Sequence, residues 1–159
     1  LSACGLILFI FESFLPVLPW FRPGLGNIAT ILALLLFGFS DAVKVTLLRI
    51  ILGALILGRL FTPVFLLALG GGLASTITMA LTYYSGRKAF GPVGVSVAGA
   101  AAHNVTQLFL AYLFFVKSVE VFIITPIFMF AGIITGILTG LIAAMVLERA
   151  RKSLADSAL

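Results

Sequence analysis

Charge is scarce in this sequence. Asp, Glu, Lys and Arg make up 9% of its 159 residues, against about 25% in an average soluble domain. Only 5 residues are acidic, and the aspartates Asp41 and Asp156 stand far apart. Diphosphate chemistry through Mg²⁺ needs clustered carboxylates, so that type of active site is excluded. No Gly-x4-Gly-Lys-Ser/Thr motif occurs, which excludes a P-loop for ATP. The single cysteine, Cys4, cannot form an internal disulfide and leaves the redox compartment unread. The single histidine, His103, has no nearby Cys and no carboxylate pair, so neither a metal nor another cofactor is expected. No Ser or Cys nucleophile with a base can be read. The chain is expected to catalyse nothing on its own.

What the sequence does have is apolar length. Hydrophobic residues are 62% of the chain and the mean hydropathy is +1.29. A soluble fold of this size has too little interior to hide so much apolar surface. Disordered chains are polar and charge-rich, so disorder is excluded as well. An integral membrane protein remains. A spanning helix takes about 20 residues, so the chain holds at most about six or seven of them, with no room for a soluble catalytic domain. The net charge of +5 comes from scattered Lys and Arg, with no basic run longer than Arg149-Ala150-Arg151-Lys152. It is read as a topology signal and not as a nucleic-acid surface. The chain opens at Leu1 inside an apolar run, without a basic n-region. No cleavable signal peptide is visible, and the first helix is expected to lack a few residues at its start.

Six apolar segments are predicted, at about 1–15, 25–39, 41–58, 63–84, 92–116 and 119–147. The expected fold is an all-α bundle of six transmembrane helices in one domain, 1–159. Pro16 and Pro19 stop the first segment. A loop follows, Pro16-Val-Leu-Pro-Trp-Phe-Arg-Pro-Gly24. Ser40-Asp41 is the expected N-cap of the third segment, and Pro126 is expected to bend the sixth. If the N-terminus is cytoplasmic, Lys44, Arg87, Lys88, Arg149, Arg151 and Lys152 lie inside, and Arg22, Arg59 and Lys117 outside. This asymmetry places both termini in the cytoplasm of a multi-pass cell-membrane protein.

Gly132, Gly136, Gly140 and Ala144 recur at four-residue spacing in the sixth segment, beside Ala131, Thr135, Thr139 and Ala143. Small residues at this spacing let helix backbones approach closely. Packing inside the bundle and a surface for a partner subunit both fit. Gly70-Gly71-Gly72 is expected to be a flexible or tightly packed turn of helix.

Polar groups within apolar segments are read as functional candidates. Glu12 lies one turn before Pro16, and Asn27 opens the second segment as either a cap or a site residue. Arg49 lies in the middle of the third. His103, Asn104 and Gln107 form one patch on the fifth, since His103 and Gln107 share a helical face. At about 1.5 Å per residue, His103 is roughly 18 Å and Arg49 roughly 12 Å from the inner ends of their helices. An outward-opening polar cavity fits these depths better than a direct Glu12–Arg49 pair.

Those same residues carry a resemblance. Glu12 with Pro16, Gly24-Leu-Gly-Asn27, Leu47-Leu-Arg49, Phe61-Thr-Pro63-Val-Phe65, Gly94-Val-Ser96, Ala102-His103-Asn104 with Gln107, and Thr135-Gly136 resemble the membrane family called heptaprenyl diphosphate synthase component I, or Gx transporters. The pieces run from the first segment to the last. That family is similar in size and topology to the substrate-binding S components of energy-coupling-factor (ECF) transporters, which bind a ligand from outside and associate with a transmembrane T subunit and ATPase subunits. The resemblance implies a substrate pocket lined by Glu12, Asn27, Arg49, His103, Asn104 and Gln107, beneath a loop with Trp20, Phe21 and Arg22. The alanine-rich stripe usual on the first helix of such S components is reduced here to Ala3 and Gly5. The expected function is a substrate-binding subunit for uptake of a small molecule such as a vitamin or cofactor precursor. The alternative is a non-catalytic membrane accessory subunit of isoprenoid or quinone synthesis. No nucleic-acid partner is expected.

Overall fold

The structure is a computed structural model, and it describes residue 7 and residues 26–86 and 90–156. Among the described residues every regular element is helical. The α-helices are α1 (Gly26–Phe37), α2 (Phe39–Ile56), α3 (Pro63–Ser85), α4 (Pro92–Ala111) and α5 (Thr125–Asp156). A π turn, Tyr112–Val116, continues α4, and a 3-10 helix, Val119–Ile124, leads into α5.

Local chemistry sets the boundaries. Pro63, Pro92 and Pro126 each fall in the first turn of a helix, where a missing N–H costs nothing and the fixed φ is already helical. Thr62 caps α3 by accepting from the Phe65 N–H at 3.4 Å. Pro126 therefore starts α5, where the sequence placed a bend. The boundary between the second and third segments also moves. Gly38 alone links α1 to α2, with φ 97°. Its N–H closes α1 on the Ala33 carbonyl at 3.1 Å, and its carbonyl opens α2 by accepting from the Ala42 N–H at 3.1 Å. Only glycine takes this backbone angle without strain. The expected Ser40-Asp41 cap is not used, and Asp41, in the first turn of α2, instead pairs with Lys44 at 2.9 Å.

Successive helices run antiparallel in a constant register. Asn27 and Thr30 of α1 meet Arg49 and Thr46 of α2. Thr46 and Ile50 meet Thr76 and Gly72 of α3. Gly71 meets His103 and Gln107 of α4. Asn104, Val97 and Val93 of α4 meet Phe128, Gly136 and Gly140 of α5. The short helix α1 touches all four others and is buried from Gly26 to Leu34. It packs in a core with Val45, Met79, Ala80, Val95 and Ala143.

The outward surface is apolar. Leu55, Ile127, Phe130 and Leu138 are among many large exposed hydrophobic side chains, a distribution suited to hydrocarbon as the outer solvent. Three helical stretches, Pro63–Ser85, Pro92–Val116 and Val119–Ala150, are long and apolar enough to cross a membrane. This is a membrane protein, and its all-α architecture is as expected. The six expected spans are not all present among the described residues. At 12 residues α1 is too short to cross alone, α2 carries Asp41, Lys44 and Arg49, and of the segment at 1–15 only residue 7 is described.

Candidate functional site

The register brings Asn27, Arg49, Gly71–Gly72, His103–Asn104 and Gly132 to one level of the bundle. Depths counted from helix ends separated Arg49 and His103. The structure levels them, because the Gly70–Gly72 turn of α3 faces α2 with one glycine and α4 with the next.

On one side of this layer is the α1–α2 pair. Arg49 is 5% exposed, and its Nη2 donates to Asn27 Oδ1 at 2.6 Å. A Cβ on Gly26 would collide with Arg49 Nη1. Glycine at that position is therefore what admits the guanidinium to the start of α1. Below lies a string of hydroxyls, Thr30 to Thr46 at 3.0 Å and Thr46 to Thr76 at 2.9 Å. Thr76 has one hydroxyl proton, and it goes to the Gly72 carbonyl at 2.9 Å. Thr46 must then donate to Thr76, and Thr30 to Thr46. The string has one direction and ties three helices together.

On the other side is the α4 patch. A Cβ on Gly71 would lie 2.9 Å from His103 Nδ1 and 3.0 Å from Gln107 Cγ, so the missing side chain lets both residues pack against α3. Asn104 turns toward α5, where its Nδ2 donates to the Phe128 carbonyl at 2.5 Å. Gly132 leaves room for that amide. Val105 and Phe109, 50% and 52% exposed, mark the opposite, outward face of α4.

His103, Asn104 and Gln107 line a cavity of about 360 Å³, within the roughly 300–1,000 Å³ range of small-molecule sites. Its walls are Val64 and Leu67 of α3, Leu108 and Ala111 of α4, Val116 of the π turn, Val121 and Ile124 of the 3-10 helix, and Phe128 of α5. The polar residues lie at the end nearest the Arg49 layer, and the rest of the lining is apolar. Asn27 and Arg49 are absent from this lining. Among the described residues, Asn27 and Arg49 form a polar group of their own beside the cavity. Glu12, Trp20, Phe21 and Arg22 lie outside the described residues.

The glycine stripe of α5 faces α4. A Cβ on Gly136 would come within 2.7 Å of the Val97 Cα, and one on Gly140 within 2.5 Å of the Val93 Cα. Ala144 continues the stripe, half-buried. Beside it, Thr139 donates to the Thr135 carbonyl at 2.8 Å and accepts from Ser96 Oγ at 2.6 Å.

Sequence reasoning passed over Thr30, Thr46 and Thr76, and gave Ser96 and Thr139 no hydrogen-bonding role. A hydroxyl in an apolar run hardly changes hydropathy, and the available signal was their spacing opposite one another in antiparallel register. The apolar walls of the cavity carried no signal at all.

Apolar outside, hydroxyls and amides inside, and a cavity among helices of spanning length define an integral membrane protein with a cavity of small-molecule size. The chain belongs to the heptaprenyl diphosphate synthase component I family, whose description matches residues 1–146. No curated protein and no solved structure matches it.

Proposed function

We propose that this chain is the membrane-embedded, non-catalytic component of a two-part system for isoprenoid diphosphate synthesis. The observation that carries the reading is the family match over residues 1–146. A component I implies a second component. The sequence lacks the clustered carboxylates that Mg²⁺-diphosphate chemistry requires, so the partner would supply them. This chain would hold the partner at the bilayer and receive an apolar molecule in its cavity. Purification of the tagged chain from gently solubilised membranes tests this. A soluble, Asp-rich prenyl synthase is expected to co-purify, and the single pure chain is expected to elongate no prenyl diphosphate. Elongation by the chain alone would overturn the assignment.

One observation favours a second reading. A cavity with a polar end, beside a buried Arg49, also fits a substrate-binding subunit of ECF type. That reading has six transmembrane helices and both termini in the cytoplasm. Glu12, Asn27, Arg49, His103, Asn104 and Gln107 would surround a ligand entering beneath Trp20, Phe21 and Arg22. The same purification separates the readings: a transmembrane T subunit and ATPase subunits in place of the synthase would establish transport. Mass spectrometry of small molecules released from the purified chain would identify the ligand in either case.

A further inference from the structure

The cavity differs from a diphosphate site in its charge. His103 is the sole ionisable side chain among its described lining residues, and none of them is Lys or Arg. A diphosphate carries more than one negative charge, and burying it without paired cations is strongly unfavourable. Arg49, the buried cation at the same level, belongs to the α1–α2 pair and donates to Asn27. The cavity does offer hydrogen bonds. The Gln107 amide both donates and accepts, and Asn104 keeps its Oδ1 as an acceptor while its Nδ2 is held by Phe128. Beyond them the walls are aliphatic and aromatic from Leu67 to Val121 and Phe128.

We propose that this cavity takes an amphiphile with an uncharged, hydrogen-bonding head at His103, Asn104 and Gln107 and an apolar body along Leu67, Leu108 and Phe128, and that it rejects the same body bearing a diphosphate. The inference rests on reading the cavity as a ligand site. It assigns the diphosphate end of any isoprenoid to a place outside this cavity.

The test uses photoreactive diazirine forms of geraniol and geranyl diphosphate, which share a body and differ in the head. The whole chain is labelled in lipid nanodiscs, and the modified peptides are mapped by mass spectrometry. The alcohol is expected to label residues 64–67, 103–111 and 121–128 saturably and to be displaced by unlabelled geraniol. The diphosphate should need at least about tenfold higher concentration, given the cost of an unpaired buried charge. Gln107→Leu should weaken labelling by the alcohol about three- to tenfold, the worth of one neutral hydrogen bond. Ala111→Phe, which fills the cavity and leaves the polar end intact, should abolish it. Val105→Leu on the outward face should change nothing. Absence of saturable labelling, preference for the diphosphate, or normal labelling of Ala111→Phe each overturns the proposal. Co-purification with a synthase is read separately, so failure here leaves the proposed partnership standing and failure there leaves the cavity's preference standing.

Discussion

Thr46 is the middle of the hydroxyl string, and it both gives and takes. Replacing it with Val keeps the volume but strands the Thr30 proton and removes the donor to Thr76. Thr46→Val should destabilise the bundle by about 1–3 kcal/mol, the cost of an unsatisfied buried polar group. Thr30→Val should cost less than half as much, because Thr30 donates at the end of the string and Thr46 keeps its own acceptor. Unfolding of the purified variants in mixed detergent micelles measures both. Equal losses would mean that the string does not run in the direction deduced from the Gly72 bond. Arg49 gives a second prediction at this scale. Gly26→Ala should resemble Arg49→Lys, with lower folded yield in each, because the first displaces the guanidinium fork and the second removes it. Normal yield of Gly26→Ala would show that the guanidinium has room to move.

Among the elements, α4 and α5 depend on backbone contact across Gly136 and Gly140. Gly136→Val would drive side-chain carbon into the Val97 backbone, which cannot shift as a side-chain tip can. Destabilisation of more than about 1–3 kcal/mol, the usual cost of overpacking, is expected in the same unfolding measurement. Gly132→Ala should act differently, by displacing the Asn104 amide from Phe128 and opening the polar end of the cavity. These packing positions were visible in the sequence, since Gly132, Gly136 and Gly140 recur at the helical repeat. So were the starts of α3 and α4, marked by Thr62-Pro63 and Gly91-Pro92. The α1–α2 boundary was obscured because Gly38 and Ser40-Asp41 are adjacent and compete as signals for one turn. The cavity was half legible. His103, Asn104 and Gln107 stood out as polar residues in an apolar run. Val121 and Phe128 look like any lipid-facing residue until the 3-10 helix and the first turn of α5 set them against α4.

For the whole molecule, the Lys/Arg asymmetry predicts an orientation that can be measured. With Cys4 replaced, a cysteine at position 117 should react with an impermeant reagent added outside intact cells, and one at position 87 should not. The opposite pattern would invert the bundle and turn the end of the cavity lined by Val116 and Val121, next to Lys117, toward the cytoplasm. The Gly38 link has a further consequence, for the order in which the chain is made. The helix α1 is buried against α3, α4 and α5, all of which leave the ribosome after it, so for part of synthesis α2 is its one partner among the described helices. Asn27 already has Arg49 there, and Thr30 already has Thr46, each held across a one-residue turn. The nascent hairpin can therefore form these two polar pairs between its own arms before the later helices arrive, and the Thr46 proton finds its acceptor when Thr76 of α3 follows.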